Sequence, residues 1–375
     1  MIPVNSPLLD GDESRYLQEC IATGWLSAEG GFVERFEREY AARVGRAHGV
    51  AVSSGTAALE VAVTALGLGP GDEVIVPTFT IISCAAAILR AGATPIFVDS
   101  DARTWNMDVD QIEPLLNRRT RALMAVHTYG LPVEMEPVLT LAREHGLHVI
   151  EDAAEAHGLH YRGRPCGSFG DISTFSFYAN KLVTSGEGGM VLTDDPAIAE
   201  RCRSLRNLCF GPGRRFVHEE LGWNYRMSNL QAAVGVAQLE QIDRFIQIKR
   251  AMGQRYSDRL GSLAAITRQP ARTEDAENIY WVYGIVLEDD VPLDAAEATR
   301  RLAERGIGTR PFFWPMHEQP VLRKLGLADG KARPVAERLA RRGFYLPSGL
   351  GLSQVEIDTV CDEVHSLLAD CGIRT

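Results

Sequence analysis

The chain has 375 residues, 45% of them hydrophobic and 23% charged, and a formal net charge of −10. That length predicts one large domain with a smaller one, and the acidic balance argues against a broad nucleic-acid-binding surface. No apolar run approaches the ~20 residues that span a bilayer, and Met1-Ile2-Pro3-Val4-Asn5 shows no basic segment leading into an apolar one, so the expectation is a cytoplasmic protein with no membrane partner.

The stretch 32–42 places Phe32, Phe36 and Tyr40 four apart, one face of an amphipathic helix. From about residue 45 to 195, short β-like runs (49–53, 73–77, 94–98, 122–127, 148–151, 172–177 and 190–192) alternate with helix-length segments such as 56–66 and 136–145. This alternation predicts an α/β domain with a mostly parallel sheet. The glycine-containing run 67–71 includes Pro70 and precedes a strand, so it reads as a turn. Ser228-Asn229-Leu230-Gln231 is a capping-box pattern, and the helix it opens is expected to run through Ile246 and lead out of the first domain. Beyond residue 250 the pattern changes to a strand over 280–287 and helices over 293–304, 334–342 and 353–368, a smaller α+β domain. The expected division is 1–248 for the large domain and 249–375 for the small C-terminal one.

Three segments carry chemistry. Ser53-Ser54-Gly55-Thr56 lies between a strand and a helix, where free backbone N–H groups and the helix N-terminus suit a phosphate; an ordinary helix cap would look the same. Val149-Ile150-Glu151-Asp152-Ala153-Ala154-Glu155 is an apolar strand ending in acids, at the end where open α/β sheets bind ligands. One such carboxylate can pair with the protonated ring nitrogen of pyridoxal phosphate (PLP), and the small Ala154 would let a flat ring lie against the backbone; a helix-capping acid is the competing reading. The third segment is Ser176-Phe177-Tyr178-Ala179-Asn180-Lys181, followed by Gly186-Glu187-Gly188-Gly189. A lysine amine can form an imine with the PLP aldehyde and then shuttle a proton between carbons. The apolar flanks and glycines weaken the reading of Lys181 as a surface lysine. Only Lys181, Lys249, Lys324 and Lys331 are available for such a role.

The seven cysteines form no C-x-x-C pair, which suggests neither a disulfide framework nor a zinc knuckle. His127, His157 and His218 stand singly and read as hydrogen-bonded structural residues. No metal site is expected.

Together, in this order, these segments resemble the nucleotide-sugar aminotransferase family (DegT/StrS type) of fold-type I PLP enzymes. Gly24-Trp25-Leu26-Ser27, Asp72-Glu73-Val74-Ile75-Val76-Pro77, His127-Thr128-Tyr129-Gly130 and Gly222-Trp223-Asn224-Tyr225-Arg226-Met227 belong to the same likeness, which covers essentially the whole chain. Within the family, Glu151–Gly158, 181–190 and 309–315 look most like GDP-perosamine synthases. The resemblance implies an aspartate-aminotransferase-like large domain and transfer of an amino group from L-glutamate, through pyridoxamine phosphate, to C4 of GDP-4-keto-6-deoxymannose.

It implies Lys181 as the Schiff-base lysine, Asp152 at the pyridine nitrogen and Glu155 near the PLP hydroxyl. Ser54, Gly55, Thr56 and Ser176 would form the phosphate cradle. Asn224 would reach the phosphate of a neighbouring subunit, which makes the protein a homodimer with active sites at the interface. Ser27, Arg215, His218 and Arg310 are the implied nucleotide-sugar contacts, arginine being suited to a diphosphate. Two positions depart from the pattern. Ile81 stands where an aromatic residue usually stacks on the ring, and Phe216-Val217 stands where perosamine synthases tend to carry Tyr-Trp.

Other readings are a 3-keto-sugar, dTDP-sugar or UDP-sugar aminotransferase, a cyclitol aminotransferase, a desulfurase and a non-enzymatic regulator. A desulfurase needs a loop cysteine; Cys166 and Cys209 have loop-like neighbours but no partner motif. A regulator predicts decay of the lysine or aspartate, and both are intact.

Overall fold

A computed structural model describes residues 1–210 and 216–373. The large sheet uses β1 (His48–Val52), β2 (Glu73–Pro77), β3 (Thr94–Val98), β4 (Thr120–Val126) and β5 (His148–Asp152). A small hairpin, β6 (His160–Tyr161) and β7 (Arg164–Pro165), intervenes before β8 (Ile172–Ser176) and β9 (Gly189–Thr193). The order is β1-β9-β8-β5-β4-β2-β3. Strands β3, β2, β4, β5 and β8 pair in parallel, and β9 is antiparallel to both of its neighbours, so it is the one reversed strand.

The sheet is buried on both faces, which explains its near-continuous apolar runs. Side chains alternate between two cores: Ala122, Met124 and Val126 of β4 join one, Leu123 and Ala125 the other. Helix Gly31–Val44, whose Phe36 and Tyr40 are buried, and helix Asn229–Glu240 pack on one face. Helix Gly55–Ala65, built of small and aliphatic residues, packs on the other.

The capping box at Ser228 forms as expected, with Gln231 as its reciprocal partner. The helix does not continue through Ile246. It stops at Gln241, whose φ of −101° and ψ of 0° take the chain out of helical geometry, and Ile242–Leu260 starts as a separate helix. Position 248/249 lies inside that second helix.

The C-terminal part carries an antiparallel sheet in the order β10-β11-β13-β12, from β10 (Ile266–Thr267), β11 (Tyr283–Leu287), β12 (Arg310–Pro311) and β13 (Gly343–Leu346). Strand β11 begins at Tyr283 rather than 280, because Tyr280 takes a positive φ of 50° and its N–H bonds the Asn278 side chain. The first residues of the chain join this part: Ile2 bridges Ile307, and the Ser348 N–H donates to the Val4 carbonyl. All seven cysteines are free, and six are buried.

Replacing the N-cap Ser228 with Ala is expected to cost about 1 kcal/mol of stability, read as a lower urea midpoint with an unchanged slope.

Candidate active site

A cavity of about 370 Å³ opens where the parallel strands end, and nearly every strand end supplies a wall. Ser54, Gly55 and Thr56 follow β1, and Thr80, Ile81 and Ser83 follow β2. His127 follows β4, Asp152, Ala154 and Glu155 mark the end of β5, and Ser176 to Lys181 leave β8. Trp281, Phe313 and Tyr345 come from the C-terminal part of the chain.

Helix Gly55–Ala65 begins at the cavity wall. Ser54 is its N-cap, with Oγ accepting from the Ala57 N–H at 3.1 Å. The remaining N–H groups of a first turn have no intrahelical acceptor, and the helix dipole adds positive potential there, so the site suits an anion. Gly55 permits a close approach: a Cβ on it would lie 2.7 Å from the Ser176 Cβ. The glycines after Lys181 serve the chain rather than the cavity. A Cβ on Gly189 would fall 2.3 Å from the Ser54 carbonyl oxygen, so this glycine lets β9 run directly beneath the helix cap.

Asp152 is buried, and burial pushes its carboxyl up. The Ala154 N–H at 3.1 Å, the Cys84 thiol at 3.2 Å and the charge of Lys181 oppose that shift. Burial also raises the Cys84 thiol, which therefore stays protonated and donates. Thr174 is the cross-strand register partner of Asp152, and its buried Oγ1 has no hydrogen-bond partner among the described residues.

Glu155 is pushed up to about 7 by burial, against the pull of the Lys181 ammonium. Its Oε2 accepts from the Tyr129 N–H at 3.0 Å, and its Oε1 lies 3.4 Å from Lys181 Nζ. Lys181 Nζ also sits 3.9 Å from the centroid of the Trp281 ring.

The histidines are held by hydrogen bonds. Nδ1 of His127 accepts from the Val133 N–H, so its Nε2–H donates to Glu151 at 2.8 Å. Glu151 further accepts from the Gly167 and Phe169 N–H groups, which ties that carboxylate to the backbone. His157 is lowered to about 3 by burial and stays neutral between the Tyr40 hydroxyl and the Ser176 carbonyl.

Nine residues expected from the sequence thus line one cavity: Ser54, Gly55, Thr56, Ile81, Asp152, Ala154, Glu155, Ser176 and Lys181. Four do not. Asn224 is exposed and bridged to Asn207. Ser27 lines a separate hollow with Arg203, Arg206 and Arg226. His218 is exposed and donates to the Leu208 carbonyl at 2.8 Å. Arg310 is exposed but is the register partner of the cavity-lining Tyr345. Arg214 and Arg215 lie outside the described residues. Reading the sequence missed Trp281, Tyr345, Thr174 and Cys84.

These residues fit PLP. A helix N-terminus with hydroxyls at Ser54, Thr56 and Ser176 matches a phosphate, and the buried Asp152 beside the unpartnered Thr174 hydroxyl matches a polar ring edge. The model of the DegT/DnrJ/EryC1/StrS aminotransferase family matches residues 7–365. The chain belongs to this family. It is a PLP-dependent sugar aminotransferase. It is 41% identical to the GDP-perosamine synthase of Escherichia coli O157:H7, over 98% of this chain and 99% of that protein. It is 41% identical to the GDP-perosamine synthase of Caulobacter vibrioides, over 98% of each. Among solved structures, S. venezuelae DesV in complex with a ketimine intermediate superposes with a TM-score of 0.86 at 35% identity, covering 95% of this chain and 94% of that one.

Gly55→Val should weaken PLP binding by at least about tenfold through overpacking against Ser176. Titration of the cofactor-free protein with PLP measures this, and unchanged affinity would separate the helix terminus from phosphate binding. Glu155 yields a pH prediction. Its folded value, about 7, lies above the ordinary 4.5, so the stability it contributes is present below 4.5 and lost as pH rises through about 7. Glu155→Gln should therefore raise the Tm of the cofactor-free protein by a few degrees at about pH 8 and by nothing near pH 4.5. Equal differences at the two pH values would show that Glu155 does not titrate in this range.

Proposed function

We propose that this enzyme transfers the amino group of L-glutamate to C4 of GDP-4-keto-6-deoxymannose in the cytoplasm, with Lys181 as the lysine that bonds the cofactor. The observation that carries the lysine assignment is its ε-amine reaching the cavity between Glu155 and Trp281 while Asp152 is buried in the same cavity. Near-full-length similarity to GDP-perosamine synthases supports the sugar.

Bound PLP supplies the carbon that accepts an amine and the ring that takes up carbanion electrons. In this reading Asp152 keeps the ring nitrogen protonated, Glu155 faces the ring hydroxyl, and Ala154 and Ile81 pack against the ring. Ser54, Gly55, Thr56 and Ser176 hold the phosphate. Lys181, once free, takes a proton at Nζ from the amino-bearing carbon and returns it to the carbon being reduced. His127 and His157 hold no mobile proton in this scheme, because their ring nitrogens are engaged within the protein.

A homodimer belongs to the same proposal, with Asn224 completing the neighbouring subunit's phosphate site and Ser27, Arg215, His218 and Arg310 meeting the nucleotide sugar. Support comes from the cavity wall: Ile81 and Tyr178 are 44% and 49% exposed in the single chain, although they line the cavity. No helix among the described residues is long and apolar enough to cross a membrane.

Incubation with PLP, glutamate and GDP-4-keto-6-deoxymannose should yield a GDP-amino sugar and 2-oxoglutarate in equal amounts, with NMR placing the nitrogen on C4. Production of 2-oxoglutarate that halts at one equivalent of enzyme would mean that this sugar is wrong. Lys181→Ala should lower turnover by at least about 10³-fold; retained turnover would remove Lys181 from the chemistry.

A further inference from the structure

Trp281 is buried at the junction of the two domains, and three contacts fix its orientation. Its indole N–H donates to the Asn180 carbonyl at 3.0 Å, one residue before Lys181. Its ring stacks on Tyr129 at 6.0 Å between centroids. Its backbone carbonyl, which precedes the start of β11, accepts from Lys249 Nζ at 2.7 Å. Lys249 is itself buried in helix Ile242–Leu260 and donates in addition to the Ser348 carbonyl. No carboxylate among the described residues pairs with it. Placing an amine there, where burial penalises its charge, is costly unless its hydrogen bonds do work. What those bonds fix is the backbone that carries the Trp281 ring.

The face of that ring points at Lys181 Nζ, 3.9 Å from the centroid. We propose that Trp281 is a positioning residue for the transamination: its ring face holds the Lys181 ammonium whenever that amine is not bonded to the cofactor, and Lys249 holds the ring in place.

The chemistry gives a reason for an aromatic face. Between taking a proton from one carbon and giving it to another, Lys181 must carry it as an ammonium. Glu155, 3.4 Å away, also stabilises that charge, but a carboxyl that titrates near neutrality can accept the proton. A π face attracts the cation and offers no site basic enough to take the proton, so it favours the charged amine without diverting its cargo. The Trp281 N–H bond to the Asn180 carbonyl, which also accepts from the Asn5 side chain at 3.0 Å, keeps the lysine's own backbone in register with the ring. The proposal rests on Lys181 being the reacting amine.

The test uses enzyme loaded with pyridoxamine phosphate, in which the Lys181 amine is free. The rate at which a small acylating ester modifies Lys181 is followed by peptide mass spectrometry, with the exposed Lys331 as internal standard. Acylation needs the uncharged amine, so losing the π face should speed it. Trp281→Leu and Trp281→Phe both open space beside Lys181, but only Phe keeps an aromatic face. Lys181 in Trp281→Leu should react about three- to tenfold faster than in Trp281→Phe. Equal rates in the two variants would overturn the proposal. Should Trp281→Leu not fold, Lys249→Met offers a second arm: release of the ring should raise Lys181 labelling several-fold over the native enzyme, and an unchanged rate would overturn it. Failure of the lysine assignment itself shows up separately, as turnover retained by Lys181→Ala.

Discussion

Two buried carboxylates and one ammonium share the cavity of about 370 Å³, and the remaining features of the site can be understood from that charge imbalance. Removing a carboxylate from water is unfavourable unless a counter-charge or donors replace the solvent. Among the described residues Lys181 is the single cation bonded to Glu155, and the Asp152 carboxylate accepts from a backbone N–H and a thiol alone. One negative charge is therefore left over. In the proposed arrangement a pyridine ring whose nitrogen carries a proton would supply the missing positive charge, and Asp152 would in turn make that proton favourable. On that proposal, binding of the cofactor and ionisation of the aspartate would be two sides of one interaction, and the phosphate would meet the opposite need at the Gly55 helix terminus.

Parallel strands make this convergence possible. Successive strands end on the same edge, so residues separated by dozens of positions arrive together without long loops. Asp152 and Thr174 are register partners on adjacent strands, and Ser176 follows two residues later at the end of β8. The reversed strand β9 then re-enters beneath the Ser54 cap, where only a glycine fits. Gly189 of the Gly-Glu-Gly-Gly segment is thus the joint between the Ser54 cap and the strand that follows the Lys181 loop.

Much of this was legible in the sequence because it is local. An apolar run that ends in acids, a capped helix after a short strand and a lysine before a glycine turn each reveal their chemistry within a few residues, and the alternation of strand and helix orders them. The aromatic wall was not legible for the opposite reason. Trp281 and Tyr345 lie about a hundred residues or more beyond Lys181, one just before β11 and the other in β13, where the apolar pattern is that of any core, and only tertiary packing turns them toward it. Cys84 was missed for a subtler cause: a cysteine with no partner motif shows no role in sequence, whereas here its S–H is a donor to the buried Asp152 carboxylate. The helix break at Gln241 was invisible because nothing in its side chain forbids helix; the next helix starts in the same core with Ile242, Phe245 and Ile246 and ends in that of the C-terminal part with Met252, Tyr256 and Leu260.

The ends of the chain show why sequence order and mechanical units differ. Position 248/249 looks like a boundary because the residue pattern changes, yet helix Ile242–Leu260 runs through it unbroken. The N-terminal residues pack with the C-terminal sheet through Ile2 and Val4, and Asn5 then reaches back to the Asn180 carbonyl beside Lys181. That one carbonyl receives donors from residue 5 and residue 281, two distant parts of the sequence brought to the backbone of the Lys181 loop. A displacement of the C-terminal sheet relative to the large one would have to break both bonds and shift the ring that faces Lys181. The position of Lys181 is therefore a property of the whole chain, although the segment that drew attention to it is six residues long.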